Sequence, residues 1–112
     1  MTEAEDAAMD ETPVRLLNLI RTPDADCEAV ESALTRLAGI ARGLGHATRA
    51  ELMRDVNDTC RFVMLLEFAS EERMTAYFED PERLAVLRLL PGGLHQDIQR
   101  FELAPVELRA PA

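Results

Sequence analysis

Apolar residues recur along this chain with two periods, and the switch between them lays out the elements. Val14 to Arg21 reads Val-Arg-Leu-Leu-Asn-Leu-Ile-Arg, short and apolar on both alternating faces, which predicts a buried strand. Thr22-Pro23-Asp24-Ala25-Asp26 comes next: Thr22 as cap, Pro23 in the first turn, and two aspartates at the positive end of a helix. Val30, Ala33, Leu34, Leu37, Ala41 and Leu44 carry the helical period until Gly43 and Gly45 end it. Thr48 to Asp55 reads as a second strand, favoured by the Asn57-Asp58 turn signal behind it. Arg61 to Phe68 is the strongest strand. Ser70 caps a second helix carrying Met74, Tyr77 and Phe78, and Asp80-Pro81 breaks it and opens a third segment. Leu84, Leu87 and Leu90 continue the apolar stripe to Pro91-Gly92-Gly93, and Ile98 to Leu103 is a last strand, with Pro105 at its edge or end.

The order β-α-β-β-α-β, with its second helix broken in two, is the ferredoxin-like α+β plan. It puts both helical parts on one face of the sheet. In the third strand Phe62, Met64, Leu66 and Phe68 share one face, and Val63, Leu65 and Glu67 the other. Leu17 and Leu19 likewise oppose Val14, Leu16 and Ile20. Both faces of the central strands are therefore apolar, and helices cover only one. The expected cover for the other is a second copy, sheet against sheet, in a two-fold homodimer. A flat face covered by the termini is the alternative.

Composition alters this picture in few places. The chain has 112 residues, 21 acids and 12 bases, a net charge of -9, and every base is arginine. Five of the acids fall in the first 11 residues; without these the balance is 16 acids to 12 bases. Residues 1–12 read as an acidic, solvated tail, 13–108 as one domain and 109–112 as a second tail. The acidic balance argues against a nucleic-acid partner and an anionic membrane surface. No apolar run reaches a membrane span and the head has no signal-peptide pattern, so the expected location is the cytoplasm. Cys27 and Cys60 match no metal or redox spacing. They read as two free thiols, with a disulfide or a nucleophilic cysteine as alternatives. His46 and His95 have no second ligand at metal spacing, so no metal is expected. No phosphate loop or nucleophile motif occurs, and flavin, nicotinamide and ATP have no support in the sequence. The expected cofactor is none.

The stretch from Glu51 to Tyr77, with its Glu-Leu-Met-Arg-Asp strand end, the run Arg61-Phe-Val-Met-Leu-Leu-Glu-Phe68 and the Ser70-Glu71-Glu72 helix start, resembles the middle of the antibiotic biosynthesis monooxygenase family. That family belongs to the dimeric α+β barrel superfamily. The resemblance implies a cofactor-independent oxygenase acting on an anthrone- or quinol-type aromatic. A polyketide cyclase or isomerase using the same pocket, or a non-catalytic dimeric binding protein, are the other readings. Phe68 stands where the family often has Trp, and Tyr77 where it often has His.

The candidate catalytic residues are Asn18, Tyr77 and Arg88. Asn18 is an amide inside an apolar strand, and the resemblance implies a polar group of this strand in the pocket, where it could hold a phenol or enolate oxygen. Tyr77, the only tyrosine, could donate to a carbonyl or shuttle a proton. Arg88 could stabilise a developing anion. Each also has a structural reading, as a satisfied amide, a half-buried ring and a surface arginine. Phe62, Met64, Phe68 and Met74 are candidate substrate-binding walls, with core packing as the alternative. Glu67 is expected to pair with Arg15 or Arg21 across the dimer rather than to act as a base.

Overall fold

A computed structural model describes residues 12–108; the acidic head before them and the four residues after them lie outside the description. The elements are β1 (Val14–Arg21), a 3-10 turn (Asp24–Asp26), α1 (Cys27–Gly43), β2 (Ala47–Asp55), β3 (Asp58–Phe68), α2 (Glu71–Phe78), α3 (Pro81–Leu87) and β4 (His95–Glu102). The strands form one antiparallel sheet in the order β2-β3-β1-β4, and all the helices lie on one side, the ferredoxin-like α+β fold. No helix among the described residues is long and apolar enough to cross a membrane.

The core is the seam between the sheet's helix-side face and α1. Val14, Leu16 and Ile20 of β1 and Phe62, Met64, Leu66 and Phe68 of β3 pack on Val30, Ala33, Leu34, Leu37 and Ala41. The helix period and the strand period each deliver one apolar face, and the two faces meet. Met74, Tyr77 and Val86 close the seam from α2 and α3.

Several boundaries and phases differ from the expected ones. Thr22 caps no helix: Pro23 and Asp24–Asp26 form a 3-10 turn, and the Thr22 backbone donates instead to the Cys60 carbonyl at 3.0 Å. Leu44 lies past the end of α1 and is half exposed; Gly45 takes the left-handed φ of +73° that turns the chain out of the helix. The turn before β3 falls at Val56-Asn57, so β3 starts at Asp58. Of the Leu84-Leu87-Leu90 stripe, Leu87 and Leu90 pack against the core beside α2 and Leu84 does not. Pro81 starts a new helix with a new phase, so Val86 is buried and Leu84 stays in solvent.

The other side of the sheet carries Leu17, Leu19, Val63 and Leu65, partly buried, with Met53 and Phe101 more exposed at its margins. Glu67 does not wait for a partner chain. It lies directly opposite Arg15 in the β1–β3 register and accepts from Arg15 Nε and Nη2 at 3.0 and 2.6 Å.

The cysteines are not free thiols. Cys27 and Cys60 form a disulfide, their Cα atoms 5.0 Å apart. A separation of 33 residues along the chain says nothing about distance in space; the α1 crossover brings the helix start over the start of β3. Closing a loop of that length removes freedom from the unfolded chain worth about 3–4 kcal/mol. Reduction should therefore lower the urea-unfolding stability by roughly that amount at unchanged fold, as read by circular dichroism with and without a phosphine reductant.

Candidate functional site

One cavity opens between the sheet and the helices. Its walls are Leu16, Met64 and Leu66 from the sheet, Leu34 and Leu37 from α1, and Tyr77, Phe78, Leu87 and Leu90 from the second helical region. Asn18, Arg83 and Gln96 are its polar groups, and Ile98 of β4 completes it. Its interior space is about 60 Å3, well below the roughly 300–1,000 Å3 usual for small-molecule sites.

Asn18 reaches this cavity through the strand alternation that points Leu16 and Ile20 into the core. Its Nδ2 donates to Gln96 Oε1 at 2.8 Å, which orients the amide. Its Oδ1 is buried and has no hydrogen-bond partner. Tyr77 is 2% exposed, and its hydroxyl donates to the Leu37 carbonyl at 3.2 Å. Burial pushes its phenol pKa up, against the lowering influence of the nearby Arg83. So placed, Tyr77 offers the cavity its ring, while its proton is held by α1.

Arg88 ends α3 in solvent and is not among the cavity's walls. The cation at the cavity is Arg83. Its guanidinium stacks 5.0 Å from the Tyr77 ring centre and 4.6 Å from that of Phe78, and Nη1 donates to the Phe78 carbonyl at 3.1 Å. Its Nε is buried and unpartnered. Asn18 Oδ1 and Arg83 Nε are the two buried side-chain polar atoms among the described residues without a partner, and both residues line this cavity. Such groups cost free energy when left unpaired, and this cavity carries one free acceptor and one free donor.

Met64 is a cavity wall. Phe68 and Met74 are core residues, Phe68 packing 5.7 Å from the Tyr77 ring, and Phe62 is buried farther along β3, below a shallow depression at Glu31 and Arg54. The signal for Arg83 was its place three residues after an Asp-Pro cap. Arg88 lies beyond the Asp80-Pro81 corner, which resets the helical phase set by α2.

That corner is held by Asp80. Its Oδ1 accepts from the Glu82 and Arg83 amides at 2.8 and 3.4 Å, capping α3, and its Oδ2 accepts from His46 Nε2 at 2.9 Å. His46 is thereby tied to the corner.

No family model matches the sequence and no curated protein matches it, but solved structures match its fold. SnoaB, a cofactor-independent oxygenase from Streptomyces nogalater, superposes with a TM-score of 0.73 at 16% identity, over 85% of this chain and 96% of its own. A candidate antibiotic biosynthesis monooxygenase from Caulobacter crescentus gives 0.76 at 11% identity, over 92% of this chain and 99% of its own. Another from Deinococcus radiodurans gives 0.75 at 11%, over 88% and 99%. The described domain has the fold these proteins share.

The hydrogen bond from His46 holds the Asp80 carboxyl below its ordinary value. A carboxyl pKa lowered on folding contributes stability that is present above the unfolded value, near 3.8, and lost as pH falls through the folded one. Asp80→Asn keeps a capping acceptor but loses the charged bond to His46. The variant should melt below the parent at pH 6, and the gap should close as pH is lowered beneath about 4, as read by thermal melts across that range.

Proposed function

We propose that the chain is a cofactor-independent oxygenase that converts an aromatic, polyketide-like molecule of the anthrone or quinol type to a quinone. The carrying observation is the pairing of an unpartnered acceptor, Asn18 Oδ1, with an unpartnered cationic donor, Arg83 Nε, on one apolar, aromatic-walled cavity. A flat phenol or enol carrying a neighbouring oxygen would satisfy both groups once the cavity walls part to admit its ring: it donates a hydroxyl proton to Asn18 and presents the second oxygen to Arg83. The fold shared with SnoaB supports the same chemistry.

In this mechanism the guanidinium lowers the cost of ionising the bound phenol, and the proton leaves through the open mouth. The electron-rich anion reduces O2 and joins it as a peroxide. Loss of water then leaves a carbonyl where the ring carried hydrogen, so one O2 yields one ketone oxygen and one water. Asn18 fixes the ring, Arg83 holds the anion, and Met64, Tyr77, Phe78 and Leu87 exclude water. Arg83→Met should lower kcat/KM about 100-fold with the fold intact, and Asn18→Ala should do so by a similar factor. Oxygen uptake on a panel of anthrones and naphthols with metal-free protein checks this, and no uptake above background across the panel refutes it. Turnover that persists without oxygen would identify the cyclase or isomerase reading instead.

The working unit in this proposal is a homodimer, built through the sheet face of Leu17, Leu19, Val63 and Leu65. These apolar side chains lie at the middle of a face that the chain's own helices do not cover. Leu65→Arg would place a charge at its centre. Sedimentation should show a dimer for the parent and a monomer for the variant.

A further inference from the structure

The Cys27–Cys60 link lies apart from the cavity, and its two sulfurs differ in access. Cys60 is 6% exposed, on the helix-side face of β3, whereas Cys27 is partly exposed as the first residue of α1. A carboxylate oxygen of Asp24 lies within 4.8 Å of both sulfurs. Asp26 and Glu28 flank Cys27, and neither the 3-10 turn nor the first turn of α1 holds a base. Asp58 Oδ1 accepts from the Cys60 amide at 3.0 Å. Of the strand arginines at this end of the sheet, Arg21 and Arg61 alternate onto the opposite face with His95, 3.8 and 3.9 Å from Asp58 and Asp55, and Arg54, on the Cys60 face, is paired with Glu31 at 2.6 Å. The approach to the accessible sulfur is therefore acidic.

We infer that Cys27–Cys60 is a thiol–disulfide exchange site, entered at Cys27 and selective for cationic thiols over anionic ones. An incoming thiolate attacks Cys27 Sγ; the S–S bond breaks and Cys60 leaves as a thiolate that takes up a proton. A second thiol then attacks the mixed disulfide, forms the external disulfide and releases the Cys27 thiolate. Two thiols thus supply the two electrons that reduce the protein. The backbone N–H groups at the start of α1 favour that last leaving group. The carboxylates of Asp24, Asp26 and Glu28 repel an anionic thiol and attract an aminothiol.

The test uses the oxidised protein at low ionic strength, with cysteamine, 2-mercaptoethanol and glutathione supplied at equal thiolate concentration. Reduction is followed by alkylation and intact mass. The expected order is cysteamine, then 2-mercaptoethanol, then glutathione, spanning about tenfold or more, with the spread collapsing in concentrated salt and narrowing in Asp24→Asn. In Cys60→Ser, cystamine should form its adduct on Cys27, located by peptide mapping. Equal rates, glutathione reacting fastest, wild-type adducts first on Cys60, or two alkylatable thiols in unreduced protein would each overturn the proposal. The wild-type rates decide the matter even if Cys60→Ser does not fold.

Discussion

β1 is hydrogen-bonded to β3 on one side and to β4 on the other, so each residue from Val14 to Arg21 has a strand partner on both flanks. The rest of the molecule depends on this central placement. A strand paired on both edges can bury side chains only above and below the sheet. Its alternation sends Val14, Leu16 and Ile20 into the helices and Arg15, Leu17 and Leu19 to the other face. Asn18 shares the inward set. Its amide is thereby fixed at the floor of the cavity with only Gln96, from the neighbouring edge strand, to satisfy it. The polar floor of the site and the apolar outer face that calls for a partner thus have one origin, the period of two residues in a doubly paired strand.

The roof of the site depends on a second constraint, the corner at Asp80-Pro81. Pro81 cannot continue α2, and Asp80 caps α3. Because the cap also bonds His46, the turn after α1 and the turn after α2 are joined by one carboxylate. Arg83 leaves that corner toward Tyr77 and Phe78, whose rings carry the stacked guanidinium over the cavity. Arg88, at the far end of α3, faces solvent. A cation holds its place in a low-dielectric site only when its aliphatic stem and charge are both packed, and here the aromatic pair provides that packing.

Much of this was legible in the chain, for identifiable reasons. β1 begins and ends at the expected residues because alternation and flanking signals agree there. Ser70 and Asp80 act as the expected caps because a side-chain cap is a local event, decided within three residues. Thr22 fails as a cap because its backbone is claimed by Cys60, 38 positions away, which no local rule registers. The same limit applies to Glu67, whose partner is the expected Arg15 but within one chain rather than across a dimer; register sets that pairing, and register follows from strand order.

By itself the sequence determined the element order, the single sheet with helices on one face, and the presence of an amide inside an apolar strand. These follow from periods and caps, which act over a few residues. Tertiary structure alone decided that Cys27 meets Cys60, that Arg83 rather than Arg88 reaches the cavity, and that the Tyr77 hydroxyl donates to the Leu37 carbonyl. Each of these joins elements that the chain separates widely or rotates past a helix break. Distance and phase there are set by how the layers pack, and packing has no local signature.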